Sequence, residues 1–151
     1  MKLELEHFCD LTVELEAPME LGNSMRGTRR IIPIIGGHVE GKSLNGRVLA
    51  LGADWQTVFD NGVAELDTRY CIETHDGALI DIRNFGFRHG PKDVLDALAR
   101  GEHVDPSKYY MRTQPRFETG DERYSWLNHR IFVGSGQREK STVYVSVYEV
   151  L

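Results

Sequence analysis

Between Lys2 and Glu16 the chain alternates. Leu3, Leu5, Leu11, Val13 and Leu15 fall on odd positions, and Lys2, Glu4, Glu6, Asp10, Thr12, Glu14 and Glu16 fall on even ones. A period of two places one set of side chains on each face of an extended strand, one face buried and one wet. Further β-rich runs follow at Arg30 to Ile35, Arg47 to Leu51, Gln56 to Phe59, Ala64 to Thr74, Ala78 to Phe87, His129 to Val133 and Thr142 to Val150. Asn45-Gly46, Asn61-Gly62, Asp76-Gly77 and Gly134-Ser135-Gly136 separate several of them and supply the positive φ angles of tight hairpin turns. Consecutive strands joined in this way are antiparallel.

One segment is helical in pattern. Pro91 stands where a helix begins, Val94, Leu95 and Leu98 share a side, and Gly101 terminates the run, which predicts a short helix at about residues 91–100 lying over an end or edge of the sheet. An all-β chain of 151 residues with one helix and glycines at its bends is expected to be a single domain, residues 1–151, built as a closed or nearly closed antiparallel β-barrel. A barrel of about eight strands is either filled by side chains or holds one small ligand.

Gly36-Gly37-His38-Val39-Glu40-Gly41-Lys42-Ser43 satisfies the phosphate-loop pattern letter for letter. That pattern binds nucleotides only where a helix leaves the glycine loop, since the helix N-terminus and backbone N–H groups hold the phosphates. Here Leu44-Asn45-Gly46 and the apolar run Arg47 to Leu51 follow, a hairpin and a strand, so no nucleotide is expected. With 18 Lys and Arg against 23 Asp and Glu, the net charge of -5 argues against nucleic acid and anionic membrane as partners. The charged, alternating N-terminus has no apolar run of the signal-peptide kind and predicts a cytoplasmic protein. Cys9 and Cys71 read as reduced thiols rather than as a disulfide framework, and the scattered histidines give no metal-ligand spacing.

Three clusters carry pocket chemistry. Asp54 sits beside Trp55, either an acid able to carry a proton next to an apolar wall or a turn cap next to a core tryptophan. Asp67 and Arg69 share a strand face, which is a surface ion pair if that face is outside and a binding feature if it is the lumen. Arg112 and Glu118, followed by Trp126 and Asn128, mix aromatic and polar groups as an amphipathic ligand, a barrel rim or a dimer seam would require.

In order along the chain, Gly36-Gly37-x-x-x-Gly41, Gly52-Ala53-Asp54-Trp55, Glu65 to Tyr70, Thr74 to Ile80, Tyr110 to Thr113, Phe117 to Gly120 and Trp126-Leu127-Asn128 resemble the domain-of-unknown-function family 3237 of bacteria and fungi. The resemblance runs from about Ser24 to the C-terminus. It implies an antiparallel barrel similar to allene-oxide-cyclase and lipocalin-like barrels, and a homodimer, without an established reaction. Lys42 stands where the family commonly has proline, and Asn61 where aspartate is usual.

Two functions are compatible with these residues. The first is a pocket protein for a small hydrophobic or aromatic metabolite, a cofactor-independent isomerase, cyclase or lyase. There Asp54 and Glu118 serve as acid and base, and Trp55, Asp67, Arg69, Arg112, Trp126 and Asn128 contact the substrate. The second is a non-catalytic binding or accessory dimer with a filled barrel.

Overall fold

The computed structural model describes residues 1–151. Nine strands form one sheet: β1 (Leu5–Leu15), β2 (Met19–Asn23), β3 (Thr28–Gly41), β4 (Gly46–Val58), β5 (Ala64–Thr74), β6 (Leu79–His89), β7 (Tyr110–Glu118), β8 (Phe132–Arg138) and β9 (Thr142–Val150). Their spatial order is β1-β9-β8-β7-β6-β5-β4-β3-β2, and β1 also pairs with β3, all antiparallel. Eight strands therefore close into a barrel, with the short β2 appended to the first part of β3.

Closure depends on β3 serving two partners. Its first part, Thr28 to Ile31, pairs with β2, and its second, Ile34 to Gly41, pairs with β1. Gly36 and Gly37 lie near the start of the second part, opposite Glu14 and Val13 of β1, where the β3–β4 register also shifts, between Pro33 and His38. Gly37 has φ +129°, and a Cβ there would collide with the backbone carbonyl oxygen of Thr12 on β1. Glycine alone meets both demands. The glycines that mimic a phosphate loop are thus the seam of the barrel, and the chain after them turns through Lys42 and Ser43 directly into β4.

Several expectations shift in detail. Arg47 to Leu51 and Gln56 to Phe59 belong to a single bent strand, β4. Gly134-Ser135-Gly136 lies inside β8 rather than in a turn; Gly134 and Gly136 face the lumen, where added Cβ atoms would meet Thr113 and Met111. Their lack of side chains is a matter of interior space. The chain Met19–Asn23, unassigned by periodicity, is paired to β3 although fully exposed, and β7 alternates strictly between exposed and buried positions. Pairing between β7 and β8 is sparse, confined to Arg112 with Ser135 and Thr113 with Gly134.

The helix forms as expected, α1 (Lys92–Ala99), with Pro91 at its N-cap and Gly101 at φ +76° after its end. Leu98 packs with Ala64, Leu66, Val104, Tyr109 and Met111, which holds the helix against one end of the barrel. The other end is closed by Leu44, Ala78, Tyr124 and Leu127, part of a core of 21 buried residues. Phe8, Phe117 and Phe132 meet there at centroid separations of 5.0 to 5.8 Å, contacts each contributing about 0.5–1.5 kcal/mol beyond their buried area. A bulge between His7 and Cys9 turns both Phe8 and Cys9 inward, which ends the simple odd-even alternation of β1. Both cysteines are free, and burial pushes the Cys9 thiol up to about 12. No helix is long and apolar enough to cross a membrane.

Gly37→Ala is expected to cost about 3 kcal/mol or more, because a disfavoured φ and a backbone collision coincide at the seam. Lys42→Ala, at the exposed turn beside it, should stay within about 0.5 kcal/mol. Urea denaturation of the two variants measures the difference.

Candidate active site in the barrel lumen

Inward positions change character along the barrel axis. On β6 they run Ile80, Ile82, Asn84, Gly86, Arg88; on β4 Asp54 and Gln56 follow Val48; on β8 Phe132 leads through two glycines to Arg138. One half of the lumen is packed with apolar side chains and the other is polar and open. The open half is a funnel of about 720 Å³ bounded by α1, the β4–β5 turn, the β8–β9 turn and the segment Glu16 to Pro18. Below it lies an inner chamber of about 40 Å³, and Leu15, Arg88 and Arg138 line both spaces as the neck between them. A water takes about 30 Å³ in the liquid, so the chamber admits a single small group and the funnel admits a molecule.

Asp54 lines the chamber, 8 % exposed. One carboxylate oxygen accepts the backbone N–H of Asp67 at 3.0 Å, and the other accepts the amide of Gln56 at 2.9 Å. Gln56 in turn accepts Arg30 Nε at 2.7 Å, which fixes the orientation of its amide. Burial raises the Asp54 pKa above the usual aspartate range, opposed by the hydrogen bonds from Gln56, Asp67 and Thr68 and by the Arg88 charge. The carboxylate is thus held in a fixed pose but poorly solvated.

Arg88 and Arg138 reach the neck from β6 and β8. Both are half-buried: Arg88 Nε is enclosed, and the Arg138 guanidinium reaches the exposed turn beyond β8, where it meets the Lys140 carbonyl at 3.4 Å. Burial, then repulsion from Arg138 and Arg30, brings the Arg88 pKa down to about 10, and Asp54 and Tyr109 oppose that shift. Arg138 is lowered by burial and by Arg30. No carboxylate lies within ion-pair distance of Arg30, Arg88 or Arg138. Arg88 Nε, the Tyr70 hydroxyl, Asn84 Oδ1 and Thr113 Oγ1 are all buried without a hydrogen-bond partner, and all four residues border the chamber. Buried polar atoms are nearly always satisfied, so four orphans around one space mark a place where a bound molecule or water completes the structure.

The eight residues singled out in the sequence do not converge. Asp54 alone faces the chamber. Trp55, its neighbour on β4, points outward and is 40 % exposed, since successive side chains on a strand take opposite faces. Glu118 lies on the outer face of β7, opposite Asp81, so the two acids do not form a shared pair. Asp67 and Arg69 are also outside; Arg69 pairs with Asp81 at 3.0 Å, and Asp67 serves Asp54 only through its backbone. Arg112 is exposed over the Tyr110 ring. Trp126 packs edge-on against Phe8 at the closed end, and Asn128 bonds both the N–H and the carbonyl of Thr119, each at 2.9 Å, stitching a corner. Arg30, Gln56, Tyr70, Asn84, Arg88, Thr113 and Arg138 escape notice in a search for neighbouring polar residues. The available signal is polar side chains at the inward phase of strands whose other inward residues are apolar.

The raised Asp54 pKa makes a signed prediction. A carboxyl that binds its proton more tightly when folded contributes stability at low pH that is lost as pH rises through its folded pKa. Relative to Asp54→Asn, the wild-type protein should therefore lose thermal stability as pH increases from the ordinary aspartate value of 3.8 upward. Melting curves of both proteins across that range provide the check; parallel curves would show an unperturbed carboxyl.

Comparison with known proteins fits this architecture. The family described as "Protein of unknown function (DUF3237)" matches residues 3–150, reaching further toward the N-terminus than the motifs do. A UPF0311 protein of Rhodopseudomonas palustris is 44% identical over 149 residues, 99% of this chain and 97% of the relative. A crystal structure of a protein of unknown function from the same organism superposes with a TM-score of 0.95 at 42% identity, covering 100% of this chain and 99% of that one. A beta-barrel like protein of Acinetobacter baumannii gives 0.88 at 47% identity, covering 100% and 98%. An enzyme from Penicillium herquei gives 0.75 at 18% identity, covering 100% and 96%, a likeness of fold. By the extent of these matches, the chain belongs to the DUF3237 family.

Proposed function

We propose that this protein binds a small, largely apolar carbonyl compound in the funnel, its carbonyl end reaching through the neck to the inner chamber, and moves a proton on it, as an isomerase or lyase does, with Asp54 as the acid-base group. The observation that carries this reading is the position of Asp54: an immobilised, desolvated carboxylate bordering a chamber with four unpartnered polar atoms. A carboxyl whose pKa is raised by burial is suited to proton transfer, and a carboxylate has lone pairs to spare beyond the two hydrogen bonds that orient it. In the simplest step Asp54 takes a proton from the carbon next to the carbonyl, the bonding electrons move to the carbonyl oxygen, and the proton returns to the same or a neighbouring carbon. The Arg88 guanidinium stabilises the oxyanion. Leu15, Val58, Leu95 and Leu98 give the funnel apolar surface for the rest of the molecule. The open funnel favours a pocket over a filled barrel. That a distant enzyme shares the fold supports only the capacity of such a scaffold for chemistry.

A homodimer belongs to the same proposal. Leu5, Phe85, Phe87 and Tyr110 are exposed around one outer groove, with Tyr148 beside them, more apolar surface than a lone barrel needs to show. Light scattering is expected to give twice the 17.2 kDa chain mass, and a monomer at every concentration removes the dimer from the proposal.

Proton transfer is measured directly by incorporation of solvent deuterium into 2-tetralone, a benzo-fused cyclic ketone with an acidic benzylic C–H beside its carbonyl, followed by NMR. Wild-type protein should accelerate exchange beside the carbonyl, Asp54→Asn should lose at least about 100-fold of that acceleration, and Glu118→Gln should retain it. Equal exchange in wild type and Asp54→Asn would overturn the assignment of the acid-base group.

A further inference from the structure

The neck of the barrel carries charge that the fold does not compensate. Three guanidinium groups, Arg30, Arg88 and Arg138, stand against one carboxylate, Asp54, which leaves two positive charges in excess (3 − 1 = 2) even when Asp54 is ionised. Arg30 is engaged by Gln56 through Nε. The side chain of Arg138 has one polar contact, a long one to the Lys140 carbonyl at 3.4 Å, and Arg88 has none. Desolvating a cation is costly unless it is paired, and retaining two half-buried guanidinium groups without a carboxylate partner at one neck is understandable if an anion occupies the space between them and the funnel.

We propose that the ligand of this site is an organic carboxylate, its carboxylate group held at the neck by Arg88 and Arg138 and its apolar body lying in the funnel. This rests on the reading of the lumen as a ligand site and names the chemical class that it selects. The wider field agrees. The chain as a whole has a net charge of -5, yet the funnel is lined by six basic residues, Arg30, Arg88, Lys92, Arg100, Arg138 and Lys140, against three acidic ones, Glu16, Asp60 and Asp96. Lys92 and Asp96 pair with each other at 2.7 Å and Arg100 pairs with Glu102 at 2.8 Å, which leaves Arg30, Arg88, Arg138 and Lys140 against Glu16 and Asp60. A positive concavity in a negative protein draws anions to one place on its surface.

The shape of the donors and the walls selects among anions. A guanidinium presents parallel N–H groups that meet the two oxygens of a planar carboxylate together, and phosphate can be met in the same way. Inorganic phosphate, however, would leave Leu15, Val58, Leu95 and Leu98 facing water across a space of about 720 Å³. An organic body covers them. The two excess charges also have two uses: one balances the carboxylate, and the other is available for the oxyanion that proton transfer creates.

Calorimetric titration with 2-naphthoate, its neutral isostere 2-naphthamide and inorganic phosphate tests the proposal on the intact chain. Naphthoate should bind at least about tenfold more tightly than naphthamide, and phosphate should compete only weakly. Arg138→Gln and Arg88→Met should each weaken naphthoate about tenfold or more while leaving naphthamide nearly unchanged, and Arg88→Met should melt at a higher temperature than wild type without ligand, because an unpaired buried charge has been removed. Equal affinity for naphthoate and naphthamide, unchanged naphthoate affinity in both variants, or phosphate binding as tightly as naphthoate would each overturn it. Asp54→Asn separates the two readings: it should keep or strengthen naphthoate binding. Selective naphthoate binding without tetralone exchange would sustain the anion site and remove the proton-transfer reading; exchange without carboxylate selectivity would do the reverse.

Discussion

Pairing between β1 and β3 is the contact on which the rest of the molecule depends. Without it the sheet has two open edges and no inside. The pairing brings the two backbones too close for a side chain at Gly37 and again at Gly41, so closure depends on two missing Cβ atoms within a strand otherwise rich in isoleucine and other bulky residues. Once the ring is closed, every strand acquires an inner and an outer face, and the chemistry of each residue follows from which it occupies.

Division of the lumen into two halves follows from the same geometry. Packing Phe8, Phe117 and Phe132 at one end supplies cohesion, and it allows the other end to hold groups that a continuous apolar core would exclude. Asp54, Arg88 and Arg138 are costly occupants of an interior, and the stability that carries them comes from the closed end and from the helix pinned by Leu98. Rigid supports of this kind are what a site requires if its carboxylate is to stay in one pose while a ligand comes and goes.

The fold was legible in the sequence because it is written in features of short range. Alternation in Leu3 to Glu16, X-Gly pairs between β runs, and Pro91 with Gly101 each report a local conformation, and the barrel is their sum. The site was legible only at Asp54. Trp55 beside it, and the pairs Asp67 with Arg69 and Arg112 with Glu118, are near one another along the chain, whereas a lumen gathers residues from different strands at one height. Arg88 and Arg138 lie 50 residues apart and become neighbours only when β6, β7 and β8 curve around a common axis. Gly134-Gly136 misled for a related reason: glycine in a turn supplies a backbone angle, but glycine on an inner strand face supplies room for Thr113 and Met111.

The sparse join between β7 and β8 gives the ring a weak link. Elsewhere neighbouring strands exchange hydrogen bonds along most of their length, but here two residue pairs, together with the Tyr109 hydroxyl that accepts the Arg138 amide at 2.8 Å, span the gap. A closed ring of staves that must widen does so at the stave held by the fewest pegs. Arg138 is carried on that stave, so a parting of β7 from β8 changes the spacing of the neck arginines and the bore of the barrel in a single movement, leaving the other seams intact.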